Sequence, residues 1–452
     1  MMIIGYAYKV LLKISIRVLT AFGTPVAHEA SHADANKNIK KRERTMSDHA
    51  VALLGWTAQG IQSMEKLGQK YVIVSYSDFE GYAKENNIPF VSWDFNTWSD
   101  ENNSFQLKEK LDAFNVTVAV PLYEETVEWA GALNSLYRDD PRVLNRAFLF
   151  RNKAVMKRKA MLAGIRVGLF EEVHNLEQVH SFMKRLNEAN LQLPGEEDSW
   201  VHLKPFSAAG TVGHKLLRNF SDIDEKVIDK DFPCMVESHL PGKEFSCEAF
   251  IHNGKIRFLN ITEYIHLGYS NYVPAGPALQ AKRPQILKAM QKLVDSFGIE
   301  YGMIHPEWFL TEDDTLSFGE VAARIPGGHI FELIEKANGF DPIQAFVLCS
   351  DPSTPESVIQ DFFPPDDEVP HLYAGSLMIY PKPGRITQLH IPEELKEDPY
   401  FETHTLYEPT EHKVSDDREG FGNHYGTIFF KGEDPERMAG LLNHYEQVDF
   451  YK

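Results

Sequence analysis

From residue 46 onward, short apolar stretches bounded by turn residues alternate with segments of helical period. AVALLG (50–55) reads as a strand buried on both faces, TAQGIQSMEKLG (57–68) as the helix that follows it, and YVIVS (71–75) as the next strand. A strand over 89–93, a helix over 105–114, the strand VTVAV (116–120) and a helix over 124–137 continue the alternation. This order predicts a doubly wound α/β domain. Its first turn, GWTAQG, lacks the GxGxxG spacing, so the domain reads as a platform for substrate rather than a dinucleotide site.

Past residue 150 the pattern changes. A basic helix, NKAVMKRKAMLAGI (152–165), ends near Gly164, and a loop follows over 188–199 with Pro194 and Gly195. Then come a short strand VHLKP (201–205), a small-residue loop SAAGTVG (207–213) and the strand CMVES (234–238). Polar and apolar residues alternate over 244–251, 255–261, 301–310 and 315–322, which predicts a large antiparallel sheet. An acidic, Pro-containing run over 361–370 reads as a linker. Beyond it LYAGSLMIY, GRITQLHI, GTIFF and a helix over 435–445 form a small α/β cap.

Length and charge narrow the function. The 452 residues suit two to four domains, with 43% hydrophobic residues to fill their cores. The net charge of −19 would repel a phosphate backbone, so nucleic acid is not an expected partner. Cys234, Cys247 and Cys349 lack CxxC spacing, which fits a reducing, cytoplasmic setting better than a disulfide framework or a cysteine-rich zinc site. Residues 1–45 stand apart: eight basic against three acidic residues give them +5 and leave −24 for the rest. Lys13 and Arg17 interrupt their only apolar stretch, so stable membrane insertion is not expected, and the tail is read as lying outside the fold.

Three groups of residues could carry chemistry. Lys204 ends a strand before the small-residue loop, where a lysine can reach a phosphate and backbone amides can approach it; the Walker spacing is absent. HPEWF (305–309) and FGEVAAR (318–324) place Glu307 and Glu320 on strands whose carboxylates converge if the strands are neighbours, with Arg324 as an added cation. Two carboxylates together with nucleotide phosphates suit magnesium, which keeps part of its water shell. His305 is expected to make a structural hydrogen bond, because imidazole suits zinc or iron better. Between these segments, Glu244, Ser246 and Glu248 alternate along one acidic strand face that could accept from ribose hydroxyls, and the backbone from Glu237 to Leu240 could read an adenine edge.

In this order Lys153, Lys204 with SAAGTVG, VESHLPGKEFSCE, HPEWF and GEVAARIPGG resemble the ATP-grasp superfamily, over roughly residue 46 to the end. The resemblance implies an N-terminal α/β domain (46–150), a lid region (151–235), a larger subdomain (236–360) and a cap (361–452), with ATP clamped between two antiparallel sheets. It implies that Lys153, Lys204, Ser207 and Gly210 meet the phosphates. Glu237 and Leu240 would meet the adenine, Glu244 the ribose and Arg324 the acyl phosphate. Glu307 and Glu320 would hold magnesium, or manganese in its place. Where the family more often has Asn, two residues after its second metal carboxylate, this chain has Ala322, as a subset of amino-acid ligases does.

The activity so implied is carboxylate activation by ATP followed by capture with an amine, with small-molecule substrates and room for a homodimer. Substrate choice would fall to the N-terminal domain, the loop over 264–277 and the cap, with Glu124, Glu125, Tyr269 and Tyr272 as candidate contacts. Transfer to a carrier-protein thiol and a non-catalytic ATP-binding scaffold are the alternatives. The acidic surface and the trio Glu307, Glu320 and Arg324 argue against them respectively. A biotin-dependent carboxylase is disfavoured because no lysine is flanked by methionines.

Overall fold

The computed structural model describes residues 48–97, 103–207, 212–365, 372–409, 412–414 and 424–452. Ser47–Lys452 form one compact unit. The N-terminal part is a parallel sheet of β1 (Ala50–Leu54), β2 (Tyr71–Ser75), β3 (Phe90–Ser92) and β4 (Val116–Pro121) in the order β3-β2-β1-β4. Its largely apolar strands are covered near Leu53 by α1 (Ala58–Leu67), through Gly60, and by α2 (Val127–Arg138), whose Trp129, Ala130 and Leu133 join the core, as continuous hydrophobic runs require. Thr57 caps α1 by accepting from the Gly60 amide, and Gly68 ends it at φ 72°.

Helix α3 (Pro141–Arg151), which the sequence pattern does not announce, leads into α4 (Lys153–Leu162). Asn152 caps α4 and so fixes Lys153 as its first residue. A second sheet follows, made of β5 (Phe170–Val173), β6 (Val201–Lys204), β7 (Lys215–Leu217) and β8 (Cys234–Ser238) in the antiparallel order β5-β8-β6-β7. Helix α5 (Leu176–Glu188) buries Val179, Phe182 and Leu186 against Val201, Leu203, Cys234 and Val236. That packing leaves His202, Lys204 and Glu237 on the opposite face.

The third sheet has eight antiparallel strands. They are β9 (Lys243–His252), β10 (Lys255–His266), β11 (Ser270–Val273), β12 (Tyr301–Leu310), β13 (Leu316–Ala322), β14 (Tyr373–Met378), β16 (Phe401–His404) and β18 (Thr427–Gly432). Their order is β13-β12-β9-β10-β11-β14-β18-β16, while β15 (Gly384–Ile386) and β17 (His412–Val414) pair separately. The cap strands therefore join the same sheet as the acidic strands, through the β11–β14 pairing. Phe245, Cys247, Ala249 and Ile251 of β9 pack with Ile286, Met290, Leu293 and Phe297 of α6 (Arg283–Phe297). The alternation turns Glu244, Ser246 and Glu248 to the other face.

Most predicted strands and helices coincide with observed ones. The linker expected over 361–370 lies partly outside the described residues, and its start belongs to a helix, Glu356–Phe362. The tail expected over 1–45 lies outside the described residues. Among the described residues, no helix is long and apolar enough to cross a membrane, and Cys234, Cys247 and Cys349 are free and buried.

Candidate active site

Strands β12 and β13 are neighbours, and a register shift between Pro306 and Trp308 sets Glu307 against Gly319 and Glu320. The approach is close: a Cβ on Gly319 would lie 3.0 Å from the Glu307 carbonyl oxygen. Glu307 also pairs across to Ser246 on β9, so Glu244, Glu307 and Glu320 share one sheet face. Burial pushes the Glu307 carboxyl up, and the charge of Glu320 pushes it further. For Glu320 burial acts the same way, but Lys153 and Lys204 outweigh it and hold the group at about 2. Burial and the charge of Glu307 bring Glu244 up to about 8.

The lysines meet these carboxylates. Lys153 Nζ donates to Glu320 Oε2 at 2.7 Å, and its backbone amide donates to the Phe206 carbonyl at 3.0 Å, tying the start of α4 to the end of β6. Lys204 Nζ donates to Glu237 Oε2 at 3.1 Å. Burial works against its charge, but Glu237 and Glu320 keep the ammonium firmly protonated. Sequence reasoning misses a third lysine: Lys157, fully buried, forms an ion pair with Glu237 and donates to the Gly319 carbonyl at 2.5 Å. Its signal is the i, i+4 spacing from Lys153, which puts both on one side of α4.

Arg324 lies two residues beyond β13. Its Nε donates to Glu124 Oε2 at 3.0 Å and its NH1 to the Ile325 carbonyl at 2.9 Å. Glu124 also accepts from Arg151 of α3 at 2.7 Å, so this carboxylate just past the parallel sheet meets α3 and, through Arg324, the end of β13. The sequence marks Glu124 as a candidate substrate contact but announces neither Arg151 nor this bridge. Of the other candidate contacts, burial pushes the Glu125 carboxyl up. Tyr272 is buried and donates to Glu263 Oε2 at 2.6 Å, while Tyr269 lies edge-on to Tyr380 with ring centroids 5.3 Å apart.

On the lysine-bearing face of the small sheet, three imidazoles form a chain. His202 Nδ1 lies 2.8 Å from His214 Nε2, and His202 Nε2 lies 3.0 Å from His239 Nδ1. Burial, and then the charge of Lys204, lower His202 to about 2 and His214 to about 4, so both rings are neutral near pH 7. No sequence motif announces the chain, because the three residues meet only once β6, β7 and β8 pair.

Of the residues expected from the sequence, Lys153, Lys204, Glu237, Glu307 and Glu320 are linked by direct or electrostatic contacts, and Glu244 joins them electrostatically. Leu240 is buried just after β8, and Ser207 is exposed after β6. Gly210 lies outside the described residues. The side chain of Glu237 is occupied by two lysines, and the amides of Ser238 and His239 donate to the Leu169 and Trp200 carbonyls at 2.8 and 3.0 Å. One expectation is corrected. Glu248 is not on a solvated or ribose-facing surface: it is fully buried, and both of its oxygens are taken by neighbouring donors and His305. His305 makes the hydrogen bond expected of it.

Among the described residues, no group of three or more His, Cys, Asp or Glu converges to hold a metal ion. Glu307 and Glu320 nevertheless fit a hard divalent cation that completes its shell with phosphate oxygens and water, since the β12–β13 register sets the two carboxylate-bearing residues against each other.

No protein-family profile matches the chain. It is 26% identical over 229 residues to an L-arginine-specific L-amino acid ligase of Bacillus subtilis, a match covering 47% of this chain and 52% of that protein. The chain thus spans about half the length of this curated relative. It is similar in structure to the L-amino acid ligase of Bacillus licheniformis, with TM-score 0.69 and 18% identity over 90% of this chain and 98% of that one. It is also similar to the N5-carboxyaminoimidazole synthetase of Staphylococcus aureus complexed with ADP, with TM-score 0.64 and 16% identity over 89% and 98% of the two chains.

Proposed function

From the ATP-grasp fold that this chain carries, we propose that it is an ATP-dependent ligase joining a carboxylate, best sought among amino acids, to an amine with release of ADP and phosphate. The observation that carries this reading is the meeting of Glu307 and Glu320 with Lys153 and Lys204 between the two antiparallel sheets. The relatives' names and the bound ADP of one of them support the same reaction class.

In this scheme a substrate carboxylate oxygen attacks the γ-phosphorus of ATP, and the bond to the β-phosphate oxygen breaks to release ADP. The amine nitrogen then attacks the acyl carbon of the acyl phosphate, and phosphate departs as the nitrogen loses a proton. Lys153 and Lys204 turn from their carboxylate partners toward the phosphates and offset negative charge on the transferring group. Glu307 and Glu320 would hold magnesium, which supplies charge neutralisation and orientation when bound. Arg324, released in part from Glu124, faces the acyl phosphate, with the amides of Gly327 and Gly328 as further donors to the oxyanion. The backbone from Glu237 to Leu240 reads the adenine, Glu244 the ribose, and Ser207 and Gly210 the phosphates. The working division remains 46–150, 151–235, 236–360 and 361–452, with the strands of the last two sharing a sheet. A reducing, cytoplasmic setting suits the three free cysteines.

The test is ADP release screened over pairs of amino acids and small carboxylates, with mass spectrometry of the products. A condensed product that requires both partners is the expected outcome. ATP binding without ADP release for any pair would instead favour the non-catalytic scaffold.

A further inference from the structure

A buried polar network lies directly behind Glu307. Glu248, with no exposed surface, accepts from Ser246 at 2.8 Å on Oε1, and from Asn260 at 2.5 Å and Thr262 at 2.7 Å on Oε2. His305 completes the set, its Nδ1 lying 2.9 Å from Glu248 Oε1. A carboxylate so supplied with donors accepts from the ring as well, which puts a hydrogen on Nδ1 and turns Nε2 away from Glu248. Nε2 lies on the side of Glu307, 3.9 Å from Oε1.

The separation is too long for a direct hydrogen bond. It suits a single water that contacts both, each at ordinary hydrogen-bond distance. His305 precedes Glu307 by two residues on β12, so the two side chains stand on one face and the geometry is fixed by the strand.

We propose that His305 is a positioning residue for the cation site: oriented by Glu248, its Nε2 contacts a water of the shell of a divalent cation held by Glu307. The inference rests on the reading of Glu307 as a metal ligand. Glu248 acts at one further remove, by fixing the ring's angle, as outer partners of metal sites do.

The experiment uses the full chain with ADP and Mn²⁺ as the probe, reading manganese affinity by electron paramagnetic resonance and shell water by proton relaxation. His305→Gln should weaken Mn²⁺ about 10- to 100-fold, the scale of lost outer partners, and should change the relaxation of bound water while ADP affinity measured without metal stays the same. Glu248→Gln, which keeps the ring but removes an acceptor from it, should shift Mn²⁺ affinity in the same direction and serves if His305→Gln does not fold. Glu307→Gln separates the two readings. If it weakens Mn²⁺ while both other variants that fold leave affinity and relaxation within two-fold of the parent, the role of His305 is overturned and the metal reading stands. If Glu307→Gln itself leaves Mn²⁺ binding unchanged, the metal reading falls and the inference falls with it.

Discussion

At the scale of single residues, the site depends on neighbouring carboxylates being driven to different protonation states. Glu320 is held ionised by two lysines, whereas Glu307 and Glu244 are pushed upward by burial and by neighbouring carboxylates. Removing the charge of Glu320 should therefore disturb catalysis far more than folding. Glu320→Gln is expected to keep the parent's melting temperature within a few degrees and to abolish ADP release at saturating magnesium; activity within a few-fold of the parent would refute the assignment. Glu244 has a signature in stability. Its folded value of about 8 exceeds the usual carboxylate value, so between about pH 4.5 and 8 the native state binds more protons than the unfolded state. This contribution makes stability fall as pH rises through that window, and the loss is absent below it. Melting curves of nucleotide-free protein should show Glu244→Gln gaining on the parent from pH 5 to 8, with the difference closing near pH 4. Lys204→Ala, which removes one positioned cation, should slow ADP release by roughly 10² to 10³, the scale for loss of one charge stabiliser.

At the scale of elements, helix α4 and strand β8 are joined through the fully buried pair of Lys157 and Glu237, and Lys157 reaches on to β13 through the Gly319 carbonyl. Lys157→Met should cost about 3 kcal/mol, because it strips a partner from a buried carboxylate. Adding Glu237→Leu should recover much of that loss in a denaturant titration without restoring turnover, which would separate the pair's structural and catalytic duties. The alternation of polar and apolar residues makes β9, β12 and β13 legible in the sequence alone, and with them the shared face of Glu307 and Glu320. It does not reveal α3, whose sequence PRVLNRAFLFR presents only a weak apolar stripe, nor the three-residue β7. Lys157 is hidden in the run KRK, where a charged residue reads as surface until its partner on β8 is known. Glu248 misleads for a similar reason: its donors Asn260 and Thr262 come from another strand, and a single strand's period says which face a residue takes but not whether that face is dry.

At the scale of the whole molecule, the reversed charge of residues 1–45 and the complete α/β start that follows predict that a chain beginning at Met46 keeps both its melting temperature and its ADP release. Insolubility or lost turnover in that shortened protein would show that the tail packs on the body. The order of the large sheet bears on how the cleft can work. From β13, which carries Glu320, to β16 in the cap, every strand is laced to the next by backbone hydrogen bonds, including the four residue pairs between β11 and β14. Among the described residues, the small sheet bearing Lys204 shares no strand ladder with it, and the two are joined by the single Val167–Phe318 bridge and by the link from Glu237 through Lys157 to the Gly319 carbonyl. The molecule is thus a vice with one stiff jaw: the cap and the carboxylates cannot part without tearing a continuous backbone lattice, whereas the lysine-bearing jaw is tied to it at a few points only and can move only by bending about the Lys157 link or giving up the Val167 bridge. Under the ligase reading proposed above, the opening that admits substrate would then be a bend of the small sheet about that link, and the cap would choose among substrates by the shape it holds out.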